Sequence, residues 1–385
     1  MTAPFNRPLR ATIICLACLA PVSAQDPASS DNPDQFAFAM LPFVGSGTVG
    51  VAQDPAGAQI PAEEFYFWDR ERPDRDAPYG VPNTQVVDVG QWLVSYTFNF
   101  EYSKGLRDSR DNLGLAQLAP NFTDAPTKLK AQTHSIQALY GWDGDWTVFA
   151  TLPVHAREMD NVNRTMGSYT TRSSGLGDLV LGGIRTVGEI DDELIRLHFG
   201  LEIPTGSIDE TDADAAGVER VLPFAMQPGT GTFNLRPGVT YMAQMETWSW
   251  GLQGNGRVHI DKNSDDWAIG DSFDMTVWGQ RPFNEDVSGS LRLQGESRGD
   301  YHGVSTALDP NGMTGPNPLR NPIESGKNQG GTRIDLLGGL NFDLTRVPDK
   351  TNRIAIEFGV PIDQWVDGPQ LSLDWLATFG WQLSF

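Results

Sequence analysis

Residues 91–103 read QWLVSYTFNFEYS. Trp92, Val94, Tyr96, Phe98, Phe100 and Tyr102 are apolar or aromatic. They alternate with Gln91, Ser95, Thr97, Asn99, Glu101 and Ser103, and only Leu93 breaks the pattern. Successive side chains of a strand point to opposite faces, so the stretch reads as a two-faced strand. A strand of a soluble sheet usually runs about 5–6 residues. This one runs roughly twice that, the length a tilted strand needs to cross a bilayer. Its apolar face is almost all aromatic and Val, which predicts contact with lipid.

The same period-2 pattern recurs to the end of the chain. It predicts about twelve strands: roughly 89–104, 129–142, 145–157, 175–187, 193–205, 231–245, 247–260, 271–281, 286–298, 331–344, 352–361 and 370–385. The connections alternate in length. Short ones fall at Asp143-Gly144, a strong hairpin signal, and at GEIDD, Glu246, PFNE and TRVPDK. The others, 105–128, 158–174, 206–230, 261–270, 299–330 and 362–369, are mostly long. Short turns on one side and long loops on the other predict an all-β fold: a closed antiparallel transmembrane barrel of the bacterial outer-membrane type with both termini periplasmic. An even strand count leaves no edge unpaired in the hydrocarbon.

The chain has 385 residues, a net charge of −21 and a pI near 4.5. Such a balance argues against nucleic acid as a partner, because phosphates must be neutralised. No apolar run approaches the ~20 residues of a transmembrane helix. At the N-terminus, Arg7 and Arg10 precede ATIICLACLAP, and Val22-Ser23-Ala24 precede Gln25. This is the pattern of a Sec signal peptide over 1–24. It contains both cysteines, Cys15 and Cys18, so a chain cut at Gln25 has none. Residues 25–88 are rich in Pro, Gly, Ala and Asp and read as an irregular periplasmic arm or plug, with the barrel over 89–385. The expected location is the outer membrane. The expected partners are outer-membrane lipid and lipopolysaccharide, a small solute, and the barrel-assembly machinery, which would engage the last strand ending in Phe385.

The polar faces of the strands carry charges of both signs. Candidate lumen-facing residues are Glu101, Arg196, His198, Glu202, Arg236, Arg257, His259, Arg292, Glu296, Arg298, Arg333, Asp335, Asp343, Arg353, Glu357 and Asp374. As a set they suit a solute path, because lumen residues tune selectivity. The alternative is a blocked structural or surface-binding barrel whose charges satisfy one another. His134, His155, His198, His259 and His302 are scattered without ligand spacing, so no metal and no cofactor is expected. The acidic run DETDAD (209–214) lacks the framework of a calcium loop. An outer-membrane lipid hydrolase is a third reading. It would need a nucleophile beside a base, and YHGVS offers His302 and Ser305. The glycine run GLGDLVLGG lacks the third spaced glycine and the helix of a nucleotide loop.

Several stretches in order resemble a known family. TTRSSGLGDLVLGGIRTV (170–187), with Ser174–Leu179 at its core, is the most recognisable. LYGWDGDWTVFATLPV (139–154), FGLEIPTGSIDE (199–210), WSWGLQG (248–254), RIDLLGGLN (333–341), IEFGVP (356–361) and DGPQL (367–371) follow the same order. Over about 80–385 the chain resembles the outer-membrane transporter family named for the meta-pathway of phenol degradation. The resemblance implies a closed barrel that transports small, often hydrophobic or aromatic compounds. It supplies no binding residues to carry over. Some relatives carry Met- and His-rich stretches around the first strands. The matching positions here, GVPNTQVVDVGQW and KLKAQTHSIQALYG, are almost free of both, which argues against a metal-linked role.

Overall fold

A computed structural model describes residues 68–165, 167–190, 193–308, 320–345 and 350–385. The expected leader and the first part of the arm lie outside the described residues. The long strands are β1 (Trp92–Ser109), β2 (Asp124–Gly141), β3 (Trp146–Asn163), β4 (Ser168–Leu176), β5 (Leu179–Ile190) and β6 (Glu193–Ile203). They continue with β7 (Asn234–Gln244), β8 (Ser249–His259), β9 (Ser272–Pro282), β10 (Val287–Arg298), β11 (Gly331–Asp343) and β12 (Asn352–Ser384). Apart from β4 and β5, which both pair with β3, each pairs with its sequence neighbours, and β12 pairs back to β1, so the sheet closes.

The strand count follows from the pairing. β4 and β5 both pair with β3 and form one pass, interrupted at Gly177 and Asp178. The ring therefore has eleven elements, yet every adjacent pair is antiparallel. A closed ring of antiparallel neighbours needs an even number of passes. β12 resolves this. Its 33 residues would span roughly 110 Å if straight, several bilayers thick. Its first half pairs with β11 up to Val366, and its second half pairs with β1 from Gln370 to Ser384, with Val366 also opposite Ser109. The chain reverses near Gly368, whose φ of +68° suits glycine. The Phe358 and Trp375 rings, 5.8 Å apart, lie across the two arms. The barrel thus makes the twelve crossings expected.

The outer face is apolar. Ile136, Leu197, Phe273, Leu291, Ile356 and Phe358 are among its exposed residues. Trp92 is exposed as well, while Leu93, the exception in the opening strand, is buried inside. Two connections differ from expectation. Residues 158–174 form the end of β3, a short turn after Asn163 and the start of β4, not a long loop. Residues 362–369 are mostly strand, turning at Gly368. In both places the strands outrun the apolar belt. Outward-facing Glu158 bridges Lys130 (2.7 Å) and Arg172 (2.9 Å), so apolar alternation ends before the strand does. The last residue, Phe385, exchanges backbone bonds of 3.0 and 2.9 Å with Trp92 at the rim of short turns.

A charge on the apolar face at mid-bilayer costs about 2–4 kcal/mol. Leu197→Arg should therefore lower the yield of folded barrel, measured as the band whose gel mobility shifts on heating. Leu197→Phe should assemble like the parent.

Candidate functional site

The lumen holds the site, and the described part of the arm enters it. Residues 68–88 form no strand but are held by side chains from around the ring. Tyr79 places its hydroxyl 2.9 and 3.1 Å from the carbonyls of Tyr96 and Trp381. Its ring lies where a side chain at position 380 would stand, so Gly380 makes room for it. Ser249 donates to the carbonyl of Asp74 (2.8 Å), Gln280 to Asp76 (2.6 Å), Gln253 to Pro82 (2.7 Å) and Arg353 to Ala77 (2.8 Å). Arg196 donates to the carbonyl of Thr84. An extended segment has no internal partners for its backbone groups, and buried ones must be paired. Here the barrel wall pairs them.

Apolar clusters pack on the plug as well, where the sequence predicts a polar lumen throughout. Val87 packs with Leu93, Leu139, Phe149 and Ile184. Ala77 and Val81 pack with Leu194, Met242 and Trp278. Each buried aliphatic or aromatic side chain contributes roughly 1.5–3 kcal/mol. Leu93 faces inward because the plug provides it with a dry partner.

Above the plug lies a buried ion pair. Arg292 meets Glu357 through two contacts of 3.2 Å, with both side chains almost fully covered. The same carboxylate accepts the Gly80 N–H at 2.7 Å. The pair therefore fixes the plug as well as the wall. His198 is buried in the wall on β6, 2.8 Å from Asn255.

Beyond this layer, towards the long loops, opens a chamber of about 550 Å³. Its wall carries five arginines (157, 236, 257, 298, 333) and four carboxylates (Glu101, Asp178, Glu202, Glu296). Arg257 clasps Glu202 through two nitrogens, at 2.8 and 2.5 Å. Arg236 reaches the same carboxylate only at 3.8 Å and stays 47% exposed. Arg333 binds Asp335 (2.9 Å) and Glu296 (3.2 Å). Loops fold inward as a roof of stacked rings. Trp267 and Tyr301 lie parallel at 5.5 Å, with Phe224 edge-on to both. Outside the roof, Arg220 donates to Asp214 at 2.7 Å and holds its carboxyl down at about 2. Arg320 joins them at 3.4 Å, so this clasp between two loops stays ionised at neutral pH. A second cavity, about 480 Å³, lies at the short-turn rim and shares no lining residue with the first.

Most of the expected lumen residues are thus placed inside. Arg196, Arg353 and Asp343 serve the plug, Asp343 by meeting Arg75 at 2.8 Å. His259 lies at the rim, 2.7 Å from Asp271 and with its ring tilted against that of His302, centroids 4.8 Å apart. Asp374 is a correction. A β-bulge shifts the register between Tyr102 and Ser103, opposite Trp375 and Leu373. Beyond it Leu371 and Leu373 line the chamber, while Asp374 is exposed and absent from its wall. The hydrolase candidates do not converge: Ser305 donates to Asp265, and the ring of His302 packs against that of His259. His155 and Arg157 line the chamber but were missed from the sequence. The alternation His155, Arg157, Met159 was the available signal, hidden because outward-facing Ala156 and Glu158 between them do not read as a lipid face.

No family model and no curated protein matches the sequence. A solved structure does share the fold. An outer-membrane channel from Pseudomonas putida F1 is 13% identical, with a TM-score of 0.54 over 79% of this chain and 99% of that one. The β domain of the Bordetella autotransporter BrkA is 11% identical, with a TM-score of 0.41 over 77% and 100%. The first likeness shows the fold, an outer-membrane-type barrel, and no more. It lends nothing to the phenol meta-pathway name that the sequence motifs suggest.

Removing one member of a buried ion pair costs about 3–5 kcal/mol, because the other is left uncompensated. Glu357→Ala should lower the denaturant midpoint of the folded barrel by a corresponding amount. Arg292→Met combined with Glu357→Met should recover most of the loss.

Proposed function

We propose that the chain is an outer-membrane channel that passes a small solute through its lumen. The observation that carries this reading is the charged chamber of about 550 Å³ inside a closed barrel whose lower lumen is filled by a segment outside the wall. The barrel fold, the apolar belt and the leader-like N-terminus support the outer-membrane location. In this reading the short turns and both termini face the periplasm, and the long loops face outward. Residues 68–88 set how much of the lumen is open, because removing them leaves the strand pairing intact.

A blocked barrel is the second reading, favoured by the number of side chains that hold the plug. Planar-bilayer recording separates the two. The intact protein should show small, discrete conductance steps, and a variant lacking residues 68–88 should show steps several-fold larger. A variant that assembles, as judged by heat-dependent gel mobility, yet conducts nothing would reject the channel.

A further inference from the structure

We propose that the outer chamber is a binding site for a small organic carboxylate with a compact apolar body. This rests on the channel reading above and names the class of solute.

The charge balance of the wall is uneven. Arg236 and Arg257 lie on neighbouring strands and share one carboxylate, Glu202. Arg257 takes both of its oxygens. One guanidinium is therefore left with a distant partner and an exposed face. Among the described residues Arg157 makes no salt bridge to a carboxylate. It donates to the backbone carbonyl of Ala225, and its buried Nε has no hydrogen-bond partner among those residues. An unmet donor on a buried guanidinium is unfavourable, and a carboxylate entering the chamber would supply the acceptor. Among the acids, Glu202 and Glu296 are held by arginine. Asp178 accepts from Gly206 N–H and from Thr230. Among the described residues Glu101 makes no hydrogen bond or ion pair; it lies on β1, two strands from Arg157 and in register with it through Ala131. A bound carboxylate would sit on the side of Arg157 that faces the aromatic roof, where Arg157 holds the carbonyl of Ala225.

The apolar half of the site adjoins the same arginine. Ala225, whose carbonyl Arg157 holds, follows Phe224, and Phe224 packs on Trp267 and Tyr301. Arginine planes and aromatic faces together match a molecule with an acid at one end and a flat or branched hydrocarbon at the other. The chamber volume lies within the range of small-molecule sites, roughly 300–1,000 Å³. A purely hydrophobic solute would leave the guanidinium unmatched, and an inorganic anion would leave the rings unused.

Titration calorimetry on the purified full-length protein in detergent, with detergent blanks, tests this with benzoate and its neutral counterpart benzyl alcohol. Benzoate should bind saturably, and benzyl alcohol at least about tenfold more weakly. Loss of a charge-assisted bond should weaken benzoate roughly 10- to 100-fold in Arg157→Gln and in Arg236→Gln. Arg157→Lys should retain more of the affinity than Arg157→Gln. Arg110→Gln, at an exposed pair with Asp363, should change nothing. If Arg157→Gln loses the heat-shifted folded band, Arg236→Gln decides alone. Equal binding of the alcohol, indifference to both glutamine variants, or no saturable benzoate binding would each overturn the proposal. Saturable benzoate binding without any bilayer current would reject the channel and leave the site standing.

Discussion

Closure of the sheet is the constraint on which everything else rests. In hydrocarbon no water can pair a free N–H or C=O, so a strand that crosses lipid must have a neighbour on each side. The last arm of β12 meets β1 along Leu93–Ser109, and the final residue closes on Trp92. With the ring closed, every second side chain is committed to lipid and every other one to the lumen. That division explains why aromatic residues and arginines alternate along one strand without conflict.

Closure also creates an interior that must be filled or wetted, and the two ends solve this differently. Near the short turns Leu93, Leu194, Trp278 and their neighbours pack on the plug, beside a cavity of about 480 Å³ at the rim. The plug's carbonyls and amides go to Ser, Gln, Arg and Glu side chains of the wall, which stand in for a strand partner. Arg292 and Glu357 mark the change of regime. On their far side the wall carries guanidinium and carboxylate groups facing an open chamber. The aromatic roof then separates that chamber from the loops. Along the lumen from the long-loop side, apolar rings come first, charge second and the plug last.

Much of this was readable in the chain itself. Trp92 to Tyr102 announced the barrel by length and by the chemistry of one face, and the turn at Asp143-Gly144 gave the hairpin sense. The lumen positions of Glu202, Arg257, Arg292 and Arg333 followed from parity. Parity failed where the wall departs from a regular ladder. The bulge beside Leu373 took Asp374 out of phase, and no local residue pattern signals a bulge. The tall hairpin of β3 and β4 was missed because its outward face is charged rather than apolar once it rises above the bilayer. The plug was harder still. PDRDAPYGVPN has no periodicity, and its partners lie up to some 300 positions away, as Gln85 and Gln382 show (297 apart). The buried amides at Gln244, Gln253 and Gln280 were the nearest hint, since uncharged donors inside a barrel call for a backbone to bind.

Whether residues 68–88 are clasped inside the wall is what distinguishes this barrel from an open pore, and amide hydrogen exchange addresses it directly. The N–H of Gly80 donates to Glu357 at 2.7 Å, and that of Val87 to Thr147 at 3.0 Å. Measured on the folded protein in detergent micelles, both amides should exchange as slowly as those of the neighbouring strands β3 and β12. Exchange at both positions at the rate of a free peptide, with the strands still protected, would contradict the plugged lumen and the layered interior built upon it.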